Sequence, residues 1–425
     1  MRIDRLKIQN FKGFESFEID FDPHFNLLVG DNASGKTSVL DAISILLDSW
    51  VLGIKGNEKG GGIGSNQAHL VETAHADSFS FAPRFPVRIE AVGVVMGENL
   101  SWARERVGEE GNTKYVDAKR VYSAAREALR RVIDKEDVSL PLICSYGTER
   151  RWYETGHRTK HSSGEKRQGY PSRLDGYEDC NRFEIQETAL LTWIRTQYID
   201  GLSLEPKTTS AFRALERAVV ACIDGATALI YSERYKDVII QFASKGRQFY
   251  RNLSDGQRVM LSLIGDLVRR ATYLNPDFGD QVLEQTNGVV LIDELDLHLH
   301  PIWQRRVIHD LKHTFPTIQF IATTHSPQLI GEALPSEIRI LADGKAYTPP
   351  RSFGLDSSRV LGEIQGAPQR DPGVESLIHR IALAIDEDKF DEARKLIVDL
   401  EGQVGADDAE VTRPRSLMKF MEAPL

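Results

Sequence analysis

Cysteine is scarce in this chain: three in 425 residues, at Cys144, Cys180 and Cys222. None of them forms a CxxC or zinc-ligand pattern, which excludes a disulfide framework and fits a reducing cytoplasm. Long apolar runs are also missing. No stretch approaches the roughly 18 uninterrupted apolar residues of a membrane helix, so no membrane association is expected. The opening Met1-Arg2-Ile3-Asp4-Arg5-Leu6-Lys7-Ile8 alternates like an edge strand and carries no signal-peptide core. The expected location is cytoplasmic. There is no internal repeat, and no sustained heptad that would support a long coiled coil. An excess of positive charge is missing as well: the net charge is −9. That argues against a surface coated in non-specific DNA contacts, while leaving room for a local basic face.

What is present is ordinary globular material, 41% hydrophobic and 27% charged, with ample apolar content for a core. The most informative segment is Gly30-Asp31-Asn32-Ala33-Ser34-Gly35-Lys36-Thr37. It follows the apolar run Phe25–Val29, which reads as a short buried strand. It precedes Ser38–Leu47, whose apolar residues fall at helical spacing. Strand, glycine turn ending in Lys-Thr, then helix is the context a P-loop requires. Its backbone N–H groups would close around phosphate oxygens, helped by the helix N-terminus. Lys36 would reach the β- and γ-phosphates, and Thr37 would bind Mg²⁺. The expected ligands are ATP and Mg²⁺, with Gly30–Thr37, Ser38 and Lys12 around the nucleotide.

The rest of the chain is read by its patterns. Residues 1–30 read as a β-meander of Arg2–Ile8, Phe14–Phe21 and Phe25–Val29. The stretch from Gly53 to Gly64 is glycine-dense and reads as a loop. Arg88–Met96 and Leu100–Arg104 look like paired strands around Gly97-Glu98-Asn99, and Pro141–Tyr146 like a buried strand. Between Glu149 and Arg173 the composition turns polar and basic, and Trp152, Tyr153 and Tyr170 lie within it. A solvated loop and a nucleic-acid surface, with DNA as a further ligand, are both open readings there. Helices are expected at Gln186–Tyr198, Ala211–Ile223 and Gly256–Thr272, and strands at Val238–Phe242, Gln248–Arg251, Gly288–Ile292 and Ile318–Ala322. Two C-terminal segments, Glu375–Asp386 and Phe390–Glu401, suggest an antiparallel helix pair.

Gly288–Ile292 is a continuous apolar strand that ends in Asp293 and Glu294. In a P-loop protein the first such acid holds the Mg²⁺ hydration shell. The second is placed to polarise a water. The alternative is a strand that merely ends in a solvated turn. Upstream, Leu253-Ser254-Asp255-Gly256-Gln257 begins a helix that Ser254 could cap. Downstream, Thr323-Thr324-His325-Ser326 follows another apolar strand. His298 and His300 form an HxH pair, but no third ligand for a catalytic zinc is evident.

The order P-loop, Leu-Ser-x-Gly-Gln, apolar-Asp-Glu, Thr-Thr-His resembles the ABC-type ATPase superfamily. The resemblance implies that Asp293 sits in the metal shell and that Glu294 is the general base. It makes His325 a switch histidine at the γ-phosphate. Ser254, Asp255, Gly256 and Gln257 then act on the ATP of a second molecule, so a homodimer or higher oligomer is implied. The Q-loop glutamine has only weak candidates, Gln168 and Gln186. The opening Ile8-Gln9-Asn10-Phe11-Lys12-Gly13-Phe14 resembles the RecF, SMC and OLD-like branch. Asp293–Pro301 with Trp303-Gln304 narrows it further, as do Tyr146-Gly147-Thr148, Ser352–Ser357 and Asp386–Leu396. Together they are similar to the PtuA-type ATPases of Septu anti-phage systems and to retron-associated relatives.

That resemblance implies an α/β fold: an ABC-type ATPase head of mixed sheet and antiparallel β subdomain, with a helical insertion and C-terminal helices. Residues 1–145 and 235–350 would form the head, 146–234 a mainly helical insertion, and 351–425 the C-terminal helical region. It also implies an ATP-driven switch that controls a separate HNH-type nuclease in anti-phage defence. A RecF-like DNA-repair ATPase is the alternative. A self-contained OLD-type nuclease is disfavoured, because the acids after His325 fall in helical patterns and not at strand ends. A transporter subunit is disfavoured by the long stretch between Thr37 and Leu253.

Overall fold

The computed structural model describes residues 1–55, 61–75, 78–148, 172–181, 187–205 and 207–422. Within the first thirty residues the chain enters two sheets. Strands β1 (Arg2–Phe11) and β2 (Phe14–Asp20) form an antiparallel hairpin. Both bury alternate residues, as expected of strands with one covered face. Strand β3 (Phe25–Val29) leaves them for a second sheet, where all five of its residues are buried. The expected three-strand meander is therefore corrected. An uninterrupted apolar run suits a strand covered on both faces, which is the environment of a parallel sheet.

Helix α1 (Lys36–Lys55) follows β3 and is buried over most of its length, with Val39, Ile43, Leu46, Leu47 and Trp50 inside. By length and apolarity alone it would pass for a membrane span, but most of it is buried inside the fold. It also runs into the expected glycine loop. Gly53 lies inside the helix, where a Cβ would stand 2.5 Å from the Cβ of Ala125 and 2.7 Å from the Tyr122 carbonyl oxygen. The glycine there permits a close helix contact and does not mark a loop.

Strands β4 (Leu70–His75) and β5 (Ser78–Pro83) pair with each other. Strand β6 (Val87–Val95) returns to β1, and β7 (Glu98–Arg106) closes a four-stranded antiparallel sheet of order β2-β1-β6-β7. Helix α2 (Lys119–Ile133) packs on α1 through Val121, Ala125 and Ala128. Strand β8 (Leu142–Tyr146) then joins β3's sheet.

Helices α3 (Glu187–Gly201) and α4 (Ser210–Cys222) precede an antiparallel sheet of β9 (Ala226–Ser232), β10 (Asp237–Phe242) and β11 (Gly246–Phe249). The long helix α5 (Asp255–Leu274) and the short α6 (Val282–Gln285) lead to β12 (Gly288–Ile292). After α7 (Pro301–Gln304) and α8 (Val307–Thr314) come β13 (Ile318–Thr323) and α9 (Pro327–Glu332). Strands β14 (Ile338–Ala342) and β15 (Lys345–Tyr347) end this part.

The second sheet has the order β15-β14-β3-β13-β12-β8. All its pairings are parallel except β14 with β15. The strands before the P-loop and before Asp293 therefore lie in one sheet, separated by β13. Helix α5 is tied to it by a buried polar cluster. The Tyr146 hydroxyl donates to Asp266 Oδ2 at 2.8 Å, and Arg270 Nε donates to the same oxygen at 2.7 Å. Arg269 reaches Asp266 Oδ1 at 2.6 Å.

The chain divides into two compact units, Met1–Asp356 and Ser357–Leu425. The second holds α10 (Ser357–Glu363), α11 (Pro372–Asp386), α12 (Phe390–Val404) and α13 (Ala409–Met421). It has its own core of Ile381, Ile385, Ile397, Leu400 and Val411. Each such side chain contributes about 1.5–3 kcal/mol by burial.

Candidate nucleotide site

Because β3, β12 and β13 are parallel, the turns at their carboxyl ends open on one edge of the sheet. That edge is where open α/β sheets bind ligands. After Val29 the chain turns through Gly30–Gly35 before α1 begins. Gly35 has φ 95°, and a Cβ there would stand 2.2 Å from Cζ of Phe14, whose ring lies beneath the turn. A Cβ at Gly30 would stand 2.5 Å from the Leu341 carbonyl oxygen. Both glycines are required by close approach of neighbouring atoms, and in Gly35 by the backbone angle as well.

Lys36 folds back over this turn. Its ammonium donates to the carbonyl oxygens of Gly30 at 2.8 Å and Asp31 at 2.9 Å. Burial pushes the Lys36 pKa below its ordinary value, opposed by the carboxylates of Asp293, Asp31 and Glu294. Among the described residues the buried Ser34 hydroxyl has no hydrogen-bond partner, an uncompensated polar atom in the cradle. In the first turn of α1, the Thr37 hydroxyl donates to Asp293 Oδ2 at 3.1 Å. Lys12, in the turn between β1 and β2, is ion-paired with Asp41 of α1.

Asp293 and Glu294 follow β12. The Asp293 N–H donates to the Tyr146 carbonyl at 2.8 Å, continuing the ladder to β8. Glu294 has φ 50°, an uncommon angle for a side-chain-bearing residue. Thr323, the last residue of β13, meets both acids. Its hydroxyl donates to Asp293 Oδ1 at 2.6 Å and accepts the Glu294 N–H at 2.7 Å. Sequence reasoning read Thr323 only as part of the run before His325. The available signal was a hydroxyl residue ending an apolar strand.

The loop carrying His325 is pinned on both sides. Thr324 donates through its backbone to Leu28 at 3.2 Å and through its hydroxyl to Asp296 at 2.5 Å. Ser326 Oγ donates to Gln304 Oε1 at 2.7 Å, and Gln304 Nε2 donates to the Leu299 carbonyl at 2.9 Å. The His325 loop and the segment after Glu294 are thus one hydrogen-bonded assembly. Asp296 and Gln304 belong to the motif segments of the sequence, which do not by themselves reveal this connecting role.

Ser254–Gln257 begin α5. Ser254 and Gln257 form a reciprocal capping box, and Asp255 pairs with Arg258 at 2.5 Å. Gly256 packs on the turn after Glu294: a Cβ would stand 2.7 Å from the His298 carbonyl oxygen and 3.1 Å from the Trp303 ring. His300 caps α7 by accepting the Ile302 N–H at 3.4 Å, which gives half of the HxH pair a structural role. Gln168, Gln186 and the basic stretch 150–171, with His157 and His161, lie outside the described residues.

The residues around the P-loop turn fit a triphosphate. The geometry offers a glycine cradle, a buried ammonium hydrogen-bonded to the carbonyls of Gly30 and Asp31, and a hydroxyl–carboxylate pair at the mouth. Comparison with known proteins agrees. Residues 5–196 match the AAA domain family, and residues 233–331 match a second AAA domain family. The chain is 28% identical to the Retron Ec83 probable ATPase of Escherichia coli, over 96% of this chain and 85% of that protein. It is 24% identical to the Septu protein PtuA of Bacillus thuringiensis, over 91% of this chain and 90% of that protein. The chain is an ATPase. A shorter likeness joins this ATPase to the DNA replication and repair protein RecF of Haemophilus influenzae: 50% identity over 46 residues, 11% of this chain and 13% of RecF. The fold of the ATPase is α/β, with antiparallel sheets beside the mixed one and helices at the C-terminal end.

Proposed function

We propose that this ATPase is the nucleotide switch of a bacterial anti-phage defence complex, dimerising around ATP and controlling a separate, HNH-type nuclease. The observation that carries the reading is the likeness to retron and Septu ATPases over nearly the whole chain. That likeness coincides with a P-loop hydroxyl and a strand-end carboxylate in contact at 3.1 Å.

In this reading Gly30–Ser38 cradle the phosphates, with Lys12 at the rim and Lys36 on the β- and γ-phosphates. Thr37 and Asp293 hold Mg²⁺, which when bound neutralises charge on the phosphate oxygens. Glu294 accepts a proton from the water whose oxygen attacks the γ-phosphorus, while the bond to the bridging oxygen of ADP breaks. His325 senses the γ-phosphate. Ser254, Asp255, Gly256 and Gln257 complete the site of a second chain. The acidic balance of the chain, −9 overall, suits a protein partner that takes the DNA-contacting role.

The RecF-like alternative, a DNA-repair or DNA-binding ATPase, is favoured by the short likeness to RecF alone. Co-purification with the protein encoded beside it, followed by DNA cleavage assays across ATP concentrations, tests the proposal. A stable complex whose cleavage responds to ATP is expected. A chain that cleaves DNA unaided, or a partner nuclease indifferent to nucleotide, contradicts it. ATP-dependent DNA retention by the chain alone supports the RecF-like reading.

A further inference from the structure

Three elements meet at Thr323. Its hydroxyl has one proton and two acceptor sites. The proton goes to the Asp293 carboxylate at 2.6 Å, and one lone pair takes the Glu294 N–H at 2.7 Å. Asp293 Oδ2 faces Thr37 of the P-loop at 3.1 Å. The same hydroxyl therefore orients the carboxylate toward Thr37 and anchors the backbone of the next residue. That backbone carries Glu294 at φ 50°, an angle that a residue with a side chain keeps only where its surroundings impose it. A second bond supports the same turn: the Leu295 N–H donates to the Thr323 carbonyl at 2.9 Å. Thr323 itself is only 1% exposed, so water does not compete for either bond.

A hydroxyl is not needed for the strand. The preceding positions Phe320, Ile321 and Ala322 are apolar, and the β-branched shape alone would suit the sheet. Valine would fill the same volume and keep the strand preference. It would, however, remove the hydroxyl that accepts the Glu294 N–H and donates to Asp293 Oδ1. The chemistry of the hydroxyl is directed at the two acids.

We infer that Thr323 is a positioning residue for ATP hydrolysis, setting the carboxylate of Asp293 toward the metal site and the backbone of Glu294 toward the water. This inference rests on the roles proposed above for Asp293 and Glu294. Groups one step removed from a metal typically contribute 10- to 100-fold to metal affinity or activity.

The test compares Thr323→Val and Thr323→Ser in the full chain, with Glu294→Gln alongside. Binding of a fluorescent ATP analogue is titrated with and without Mg²⁺, and turnover is measured separately. Thr323→Val is expected to bind the analogue as the native chain does without Mg²⁺, and to need about 10-fold more Mg²⁺ for the metal-dependent tightening. Its kcat should fall about 10- to 100-fold. Thr323→Ser, which keeps the hydroxyl, should recover most of both losses. Native Mg²⁺ dependence and native kcat in Thr323→Val overturn the inference, and so does a Thr323→Ser chain as impaired as Thr323→Val. Should the valine chain fail to fold, as read by its melting temperature, Thr323→Ser against Thr323→Ala makes the same comparison. Native turnover in Glu294→Gln instead overturns the underlying site assignment. A dead Glu294→Gln beside a native-like Thr323→Val overturns the role of Thr323 alone.

Discussion

Gly35 meets two demands at once. Its φ of 95° lies in the region that L side chains rarely adopt, and the Phe14 ring occupies the space a Cβ would need. Gly35→Ala is therefore predicted to cost about 1–3 kcal/mol through the backbone alone, and to weaken nucleotide binding by displacing the turn from Phe14. Thermal denaturation and ATP titration of the variant check this; a chain with native stability and native affinity contradicts it. At this scale the glycine turn between β3 and α1 was legible in the sequence because its residues are contiguous. Thr323 was not legible. Its partner Asp293 lies 30 residues away in sequence, and only the parallel register of β12 and β13 brings them together. The packing of Phe14 beneath Gly35 was hidden for the same reason.

Elements with a strong period or an unbroken apolar run were read close to their true bounds: β12 is Gly288–Ile292, and α5 begins at Asp255 behind its Ser254 cap. The failures have physical causes. β3 was grouped with its sequence neighbours, although its burial on both faces belongs to another sheet. Helix α2 was overlooked because its buried residues are small, a narrow stripe of Val121, Ala125 and Ala128 among charges. The β9 strand was missed beside β10, and β11 lies two residues earlier than the expected Gln248–Arg251.

The Asp266 cluster binding α5 to β8 also predicts a pH response. Burial pushes the Asp266 carboxyl up, but Arg270 and Arg269 outweigh it and hold the group at about 2. Its folded pKa lies below the ordinary value of 3.8. Its stabilisation is thus fully present above about pH 4 and is lost as the pH falls from there toward 2. Asp266→Asn should cost about 3–5 kcal/mol at neutral pH, since it leaves buried guanidinium groups without their counter-charge. It should also flatten the decline in stability between pH 4 and 2. Denaturant melts across that range decide the point; an unchanged acid profile contradicts the assignment.

At the scale of the whole molecule, the two compact units each have their own core. The start of α5 packs on the turn after Glu294 through Gly256, His298 and Trp303. In the proposed dimer that joined surface faces the ATP of the other chain. Lys36→Ala and Ser254→Arg chains should each be deficient alone. Mixed, they should regain turnover through at most one composite site per dimer. Native turnover by either variant on its own rules out a shared site.

The central claim is that one cluster at the sheet edge both binds ATP through Lys36 and hydrolyses it through Glu294. Its most direct test measures ATP binding and turnover side by side in Lys36→Ala and Glu294→Gln. The first should lose binding. The second should keep native affinity while its turnover drops roughly 10²- to 10⁴-fold. Equal loss of affinity in both chains, or native turnover in Glu294→Gln, would contradict it.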